Sequence, residues 1–267
     1  MIRAGALKAG VAGNPIGHSL SPLIHRAWIA GAGIDAVYDP YEPQDEASFH
    51  ALVDIGRAGR LRGLNVTAPF KLAALAAADS VSDTARRAGS ANLLVFEGGR
   101  ANADSTDGLG LMAALAEQAP DLRPGGRPVV VLGAGGAGRA AAAALSDAGA
   151  EVRIVNRTHA KAEALAADLG VAAVSLEAAL DGAALVVNAL SGRPDIDLSR
   201  LPEDAVLMDM TYRPLETPFL VAGRARGLTG VDGLAMLIGQ ARPSFEALFG
   251  VSPPAVDVRR LALEAAR

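Results

Sequence analysis

Three glycines near the middle of the chain have the spacing needed to bind the phosphates of a dinucleotide. Gly133, Gly135 and Gly138 form the pattern G-x-G-x-x-G directly after the apolar, β-branched run 129–132. An alanine-rich helix from about Arg139 and then a second strand are predicted to follow. Strand, glycine turn, helix and strand is the context that makes this pattern a dinucleotide-binding turn. The glycines would permit a tight turn, close approach of a pyrophosphate, and close packing of helix on strand.

The residues after the second predicted strand discriminate between the two nicotinamide dinucleotides. An NAD site usually has Asp or Glu there, bonded to the ribose 2′-hydroxyl. This chain has Asn156, Arg157 and Thr158, with Lys161 one helical turn later. A cation suits a 2′-phosphate, which arginine can bind with two hydrogen bonds. The sequence therefore predicts NADP. The predicted cofactor contacts are Gly133, Ala134, Gly135, Gly136, Ala137, Asn156, Arg157, Thr158, Lys161, Asn188 and Gly233.

Further polar clusters lie at predicted strand ends and helix starts, where open α/β sheets bind ligands. Two serine hydroxyls beside a helix N-terminus can bind a carboxylate, although Ser21 is also predicted to cap that helix, with Pro22 as its first residue. Lys71 lies in the first turn of a predicted helix, where its charge opposes the helix dipole. Taken singly, each residue also suits an ordinary structural role. The candidates are Ser19, Ser21, Asn65, Thr67, Lys71, Asp107, Tyr212 and Gln240.

Composition excludes several classes of function. The 267 residues include 25 Lys and Arg against 29 Asp and Glu, and this net charge of −4 gives no electrostatic case for nucleic acid or an anionic membrane. The absence of cysteine excludes disulfides and thiolate chemistry. The four histidines have no metal-ligand spacing, so no metal is predicted. No signal segment or apolar run of membrane-spanning length is visible, so we expect a cytoplasmic protein.

The elements that must position these residues alternate between strands and helices. This alternation predicts an α/β fold with open, mostly parallel sheets, and the length suggests about two domains. Two helical stretches are predicted at 233–241 and 243–249, and a C-terminal helix is predicted to start near Pro254. Too few elements remain after residue 231 for a third domain. We therefore expect the terminal helices to pack on the first half of the chain.

Taken in chain order, these motifs resemble those of the shikimate dehydrogenase family. The likeness extends over nearly the whole chain, and jointly the motifs are far more specific than any one of them. The matching segments are NPIGHSLSPLIH, LNVTAPFK, GSANLL, STDGLG, VLGAGGAGRA, VNRT, VVNALSG, MDMTYRPLETP and VDGLAMLIGQA.

The resemblance implies a fold and a reaction. It implies a substrate domain formed by residues 1–106 and 233–267, and a Rossmann-like NADP domain formed by residues 107–232. It also implies reversible reduction of 3-dehydroshikimate to shikimate with NADPH, on the route to aromatic amino acids, in a monomer or homodimer. Lys71 and Asp107 would be the catalytic pair. Ser19, Ser21 and Tyr212 would hold the substrate carboxylate, Asn65, Asn92, Asp107 and Gln240 the ring hydroxyls, and Thr67 would support them.

Three positions depart from the family pattern and leave alternatives open. Leu93 and Leu190 replace threonines, and Ser105 replaces an asparagine. Leu93 and Ser105 lie beside the expected substrate groups, and Leu190 lies near the expected nicotinamide loop. A related dehydrogenase acting on quinate, an amino-shikimate or another cyclic polyol acid is therefore a second hypothesis. A non-catalytic NADP-binding sensor is a third, although such a sensor need keep neither Lys71 nor Asp107.

Overall fold

A computed structural model divides the chain into two α/β units, each built around its own sheet. The structure describes residues 5–124, 126–190, 192 and 194–265. The first unit comprises Met1–Thr106 and Gln240–Arg267, and the second comprises Asp107–Gly239.

The first unit contains a six-stranded sheet flanked by helices. Its order is β2-β1-β3-β5-β6-β4, with β3–β5 and β5–β6 antiparallel and the other neighbouring pairs parallel. The elements are β1 (Leu7–Ala12), α1 (Ser21–Ala32), β2 (Ala36–Tyr41), α2 (Glu46–Arg57), β3 (Gly63–Val66), α3 (Lys71–Ala76), β4 (Ser80–Val81), α4 (Asp83–Ala88), β5 (Leu93–Glu97) and β6 (Arg100–Asp104). One face of the sheet packs on α2 and α3 through a core that includes Phe49, Leu64, Phe70 and Phe96.

The second unit contains an all-parallel sheet of order β12-β11-β10-β7-β8-β9. This is the strand order of the doubly wound dinucleotide-binding fold, with its switch point between β7 and β10. The elements are α5 (Asp107–Gln118), β7 (Pro128–Leu132), α6 (Gly136–Asp147), β8 (Glu151–Val155), α7 (His159–Leu169), β9 (Ala172–Ala173), α8 (Leu176–Leu180), β10 (Leu185–Asn188), a 3₁₀ turn (Leu198–Arg200), β11 (Val206–Asp209), α9 (Pro218–Ala225) and β12 (Thr229–Val231).

The strands at the switch point are apolar because both faces of the sheet are covered. Every residue of β7 and of β10 is buried, as expected for a parallel strand with helices on both sides. Small residues on α6 let that helix lie close to the sheet, and Ala140 to Ala143 are all buried. The sequence therefore places the carboxyl ends of β7 and β10 at one edge, where a ligand can approach.

Two helices complete the chain, and both differ in extent from the prediction. The helix α10 (Gly233–Phe249) is continuous through Pro243, whereas the sequence predicted two separate helices. The last helix, α11 (Val258–Ala265), starts later than the predicted start near Pro254. It packs against α1 of the first unit, so this last helix returns to the first half of the chain as predicted, and the α/β fold class is confirmed.

Two predicted helix starts are also wrong. The helix α6 starts at Gly136, one turn before the predicted start, because Gly135 is its N-cap residue. The helix α1 starts at Ser21 itself after Leu20 as N-cap residue, so Ser21 is not the cap and Pro22 is the second helical residue.

None of the helices in the described ranges combines the length and the apolar character that crossing a bilayer requires.

Candidate active site

Five polar side chains from distant parts of the chain meet inside the first unit. Asn65 lies on β3, Asn92 precedes β5, Thr106 follows β6, and Gln240 and Ser244 lie on α10. All five are buried, with exposed fractions between 0% and 8%. Three of them, Asn65, Asn92 and Gln240, are predicted site residues, and the structure brings them together; that they bind one ligand stays a prediction.

Hydrogen bonds fix the orientation of the Asn92 and Gln240 amides. The backbone N–H of Thr106 donates to Asn92 Oδ1 (2.8 Å). Asn92 Nδ2 donates to Thr106 Oγ1 (3.0 Å) and to Gln240 Oε1 (3.2 Å). The Thr106 hydroxyl is also 3.1 Å from Gln240 Oε1. A buried amide is costly unless it is paired, so this network holds both side chains in one arrangement.

The Asn65 amide is held from both sides. Its Oδ1 accepts a hydrogen bond from the Tyr38 hydroxyl (2.8 Å). Its Nδ2 donates to Ser244 Oγ (2.9 Å) and to the backbone oxygen of Asn92 (3.3 Å). Sequence reasoning missed Tyr38, Thr106 and Ser244. Thr106 was the only one with a signal, because it stands between two noted residues of the STDGLG segment. The sequence around Tyr38 is that of an ordinary strand, and the sequence around Ser244 is that of an ordinary helix.

The two serines at the start of α1 form a pair of hydroxyls beside a helix N-terminus. Ser19 Oγ accepts from the backbone N–H of Ser21 at 3.2 Å. Ser19 is half-buried and Ser21 is buried. No side-chain cap is present at Leu20, so the first turn of this twelve-residue helix offers hydroxyl and amide donors suited to a carboxylate.

The segment after β3 carries the predicted acid–base lysine. Lys71 is the first residue of α3 and is half-buried, and its carbonyl accepts from the backbone N–H of Ala91 at 3.0 Å. That bond connects the lysine backbone to the segment just before Asn92. The Thr67 backbone N–H donates to the Ala12 carbonyl at 2.9 Å, so Thr67 continues the sheet register beyond β3 and is half-buried there.

The remaining predicted substrate residues belong to the second unit. Asp107 is the first residue of α5 and is 8% exposed, and Tyr212 follows β11 and is half-buried. Their roles stay predictions of the family resemblance.

The glycine turn has the geometry of a phosphate-binding loop. Gly133 has a φ of +113°, which favours glycine, and its N–H donates to the Val155 carbonyl at 2.8 Å. A Cβ on Gly138 would lie 1.9 Å from the Gly133 oxygen, so only glycine lets α6 pack this closely. Apart from chain neighbours and the backbone of α6 itself, no atom of the described residues lies within 4 Å of the Cβ position of Gly135 or of Gly136. The space in front of the α6 N-terminus is therefore open to a ligand, and the turn fits a pyrophosphate.

Asn156 connects the glycine turn to the predicted 2′-phosphate site. Its Oδ1 accepts from the Ala134 N–H (3.1 Å), and its Nδ2 donates to the Thr158 carbonyl (2.9 Å). Arg157 and Lys161 are both exposed and pair with no acidic side chain in the part of the chain that the structure describes. The Thr158 side chain makes no capping bond at the start of α7. Two cations and one hydroxyl are thus available to a phosphate.

Asn188 and Gly233 are predicted cofactor contacts that lie at or just beyond the carboxyl ends of strands in the second sheet. Asn188 is 1% exposed, and its Oδ1 accepts from the Leu190 N–H (3.2 Å) while its Nδ2 donates to the Gly192 carbonyl (3.2 Å). A Cβ on Gly233 would lie 2.6 Å from the Thr211 carbonyl carbon and oxygen. Both residues shape the backbone beyond β10 and β11, where a nicotinamide would lie in a fold of this strand order. The segment next to Asn188 includes Ser191, which lies outside the described residues.

The three departures from the family pattern have defined environments. Leu93 is 1% exposed and pairs with Asn65 across β5 and β3, so the two side chains share one face of the sheet. Ser105 is 3% exposed, and its Oγ has no partner among the residues that the structure describes. Leu190 is 39% exposed, and its Cδ2 lies 3.1 Å from the Cβ position of Gly133. Leu93 thus places an apolar side chain where a hydroxyl is usual, next to Asn65.

No group of three or more His, Cys, Asp or Glu side chains that could hold a metal ion occurs among residues 5–124, 126–190, 192 and 194–265.

The second unit has a doubly wound parallel sheet, a glycine turn and exposed cations after its second strand. The first is a separate α/β unit that buries a cluster of amides. Together these features define a nicotinamide-dinucleotide-binding protein of the two-unit dehydrogenase class. Two family models match the chain: the shikimate dehydrogenase substrate binding domain over residues 11–94, and shikimate / quinate 5-dehydrogenase over residues 114–196. The chain belongs to the shikimate dehydrogenase family, and the family predicted from the motifs is confirmed.

Several proteins of known name are similar to this chain over nearly its whole length. The chain is 51% identical to a protein of Caulobacter vibrioides named shikimate dehydrogenase (NADP(+)), over 98% of this chain and 97% of that one. It superposes with a TM-score of 0.88 and 38% identity on shikimate 5-dehydrogenase of Thermus thermophilus in complex with NADP(H) and shikimate, covering 97% and 99% of the two chains. Quinate dehydrogenase of Corynebacterium glutamicum in complex with NAD has a TM-score of 0.88 at 28% identity, over 97% and 99%.

Proposed function

We propose that this protein is an NADP-dependent shikimate dehydrogenase, which reversibly reduces 3-dehydroshikimate to shikimate on the route to aromatic amino acids. The observation that carries the proposal is the 51% identity, over 98% of the chain, to a protein named shikimate dehydrogenase (NADP(+)). The cluster of oriented amides in the first unit supports it, because a ring with several hydroxyls needs several fixed hydrogen-bonding partners.

The substrate is held by its two polar ends in this proposal. Ser19 and Ser21, with Tyr212, bind the carboxylate, for which the α1 N-terminus offers donors. The ring hydroxyls are bound by Asn65, Asn92, Asp107 and Gln240, with Thr67 in support. Thr106 already fixes the side chains of Asn92 and Gln240. These two side chains therefore lose little conformational entropy when the substrate binds.

Lys71 moves the proton in the proposed reaction. Bound NADPH would supply a hydride to the ring ketone. The ketone oxygen then needs a proton, which the Lys71 ammonium gives; in the reverse direction the neutral amine takes it back. A positioned acid–base group of this kind contributes roughly 10²–10⁴-fold to the rate. Asp107 pairs with Lys71 in the proposal and keeps the ammonium oriented on the substrate oxygen.

The second unit holds the cofactor. The open space before Gly135 and Gly136 accepts the pyrophosphate, and Arg157, Thr158 and Lys161 accept the 2′-phosphate. We assign residues 107–232 to this role and residues 1–106 with 233–267 to the substrate. Cytoplasmic location and a monomeric or homodimeric state remain predictions from the sequence, as does the lack of nucleic-acid and membrane partners.

A second candidate substrate follows from two observations. Leu93 replaces a hydroxyl beside Asn65, and the buried Ser105 hydroxyl has no partner among the described residues. A ring whose hydroxyls differ from those of shikimate, as in quinate, would meet this altered pair of groups.

A substrate panel tests the proposal. NADP⁺ reduction is followed spectrophotometrically with shikimate, with quinate and with no acid, and NADP⁺ binding is measured separately. The proposal expects kcat/KM for shikimate to exceed that for quinate by at least about tenfold, the ratio that about 1.4 kcal/mol of transition-state binding gives. Preference for quinate would support the second candidate. NADP⁺ binding without turnover of either acid would indicate a sensor.

A further inference from the structure

Tyr38 is a buried aromatic residue of the first unit to which the proposed mechanism gives no role. It lies in the middle of β2 and is 0% exposed. Its ring stacks on the His25 ring with a centroid distance of 4.0 Å and an interplanar angle of 1°. Both ring nitrogens of His25 have no hydrogen-bond partner among the described residues. Of these two stacked rings, only Tyr38 therefore makes a polar contact, and its hydroxyl points at Asn65.

The partners of Asn65 determine which way its amide faces. A backbone carbonyl can only accept, so the amide nitrogen of Asn65 must face the carbonyl of Asn92 at 3.3 Å. The Ser244 hydroxyl donates to the Gln240 carbonyl at 3.0 Å, which leaves its oxygen to accept from the same nitrogen at 2.9 Å. The amide oxygen then faces Tyr38, whose hydroxyl donates to it at 2.8 Å.

This arrangement leaves one kind of group on Asn65 for a ligand. Both amide hydrogens are engaged by the protein, whereas the oxygen accepts from Tyr38 with one of its two lone pairs. The remaining lone pair suits a hydroxyl donor and not a carbonyl or carboxylate. Burial raises the pKa of the Tyr38 hydroxyl well above its ordinary value, so the hydroxyl keeps the proton that it donates.

We propose that Tyr38 is a positioning residue for substrate binding, whose hydroxyl holds the Asn65 amide with its oxygen directed to accept a hydrogen bond from a hydroxyl of the substrate ring. The inference rests on the proposed function, since it assigns Asn65 to the ring of a polyol acid. It makes Tyr38 act through Asn65 and not on the reacting atoms.

Tyr38→Phe tests the proposal because it removes one hydroxyl and keeps the ring that stacks on His25. We expect KM for shikimate to rise about tenfold, the effect of about 1.4 kcal/mol in binding. We expect kcat to stay within about threefold and KM for NADP⁺ to stay unchanged. Tyr41→Phe is the matched control: it removes a half-buried hydroxyl of the same strand that has no hydrogen bond to any described residue, and it should leave KM unchanged.

A double-mutant cycle separates positioning from a merely structural role. If Tyr38 acts through Asn65, adding Tyr38→Phe to Asn65→Ala should raise KM by less than about twofold beyond Asn65→Ala alone. A full tenfold rise in both backgrounds would overturn the proposal, as would a lower melting temperature with unchanged KM. Should Tyr38→Phe not fold, Ser244→Ala removes the acceptor on the other side of the same amide. We expect this variant to raise KM by less than about tenfold, and an unchanged KM would overturn the proposal.

Turnover by the wild type separates failure of the positioning role from failure of the proposed function. A wild type that turns over shikimate, with a Tyr38→Phe variant of equal KM, overturns the positioning role and leaves the proposed function intact. A wild type that binds NADP⁺ but does not turn over shikimate overturns the proposed function and this inference with it.

Discussion

Arg157 is the residue on which the choice of NADP over NAD depends. It is exposed at the end of β8, in a segment that Asn156 ties to the glycine turn. We expect Arg157→Ala to raise KM for NADP⁺ about 10–100-fold, because a charge-assisted bond to phosphate is worth roughly 1.5–3 kcal/mol. KM for NAD⁺ should change by less than about threefold, since NAD⁺ lacks the 2′-phosphate.

Steady-state kinetics with both cofactors makes this measurement. Arg224→Ala is the control, because Arg224 is an exposed arginine of the same unit that pairs with Glu216 at 2.7 Å. It should change neither KM. An equal loss of NADP⁺ and NAD⁺ affinity in Arg157→Ala would contradict the assignment of Arg157 to the 2′-phosphate.

His25 makes the stability of the protein depend on pH. Burial lowers the pKa of His25 from 6.5 to about 3. Between these values the unfolded chain binds a proton that the folded chain does not. The contribution of His25 to the free energy of unfolding is therefore fully present above pH 6.5 and falls as the pH drops toward 3. From pH 7 to pH 5 we expect a loss of about 2 kcal/mol from this residue.

Urea unfolding at pH 5, 6 and 7 measures this dependence. His25→Phe keeps an aromatic ring next to Tyr38 and removes the titrating group, so the loss between pH 7 and pH 5 should shrink by about 2 kcal/mol. Equal slopes in wild type and His25→Phe would show that His25 does not titrate on unfolding.

At the scale of elements, two positions of the glycine turn need glycine for different reasons: Gly138 for packing of the helix and Gly135 for cofactor binding. Gly138→Ala places a Cβ 1.9 Å from the Gly133 oxygen, so β7 and α6 must separate. We expect a loss of about 1–3 kcal/mol in the free energy of unfolding, the usual range for overpacking. The Cβ of Gly135→Ala has no non-neighbouring atom within 4 Å in the part of the chain that the structure describes. We therefore expect unchanged stability but about tenfold weaker NADP⁺ binding, because the methyl group takes the place of the pyrophosphate.

Denaturant unfolding and NADP⁺ titration of the two variants provide the test, each variant serving as the other's control. If Gly135→Ala were the less stable variant, or Gly138→Ala the one with selectively weaker NADP⁺ binding, the two glycine roles would be reversed.

The elements also mark what the sequence could predict. Of the two strands around the glycine turn, β7 was predictable as a short apolar run bounded by turn residues. The strand β8 was predictable because its apolar residues alternate with charged ones. The helix α10 was not, because Pro243 cannot donate the backbone hydrogen bond of a helix interior and so suggested a break. The short elements β4 and α8 have too few residues for a period to appear. Tyr38 and Ser244 could not be assigned to the site because only the folded first unit brings them to Asn65, whereas Thr106 had a signal as the neighbour of Asp107.

At the scale of the whole molecule, each unit has its own sheet and its own part of the proposed site. The first unit contains Lys71 and the cluster of amides, and the second contains Asp107 and the glycine turn. The motifs in chain order were sufficient to identify the family, because they extend through both units. The pairing of Lys71 with Asp107 stays a prediction, as do the domain boundaries for substrate and cofactor.

The most direct test of the central claim is the rate of shikimate-dependent NADP⁺ reduction by wild type and by Lys71→Ala. Lys8→Ala, an exposed lysine of β1, is the matched control and should retain the wild-type rate. The account predicts that Lys71→Ala lowers kcat by about 10²–10⁴-fold while shikimate and NADP⁺ still bind, because the variant lacks the group that moves the proton. A Lys71→Ala variant with near-normal kcat would contradict it.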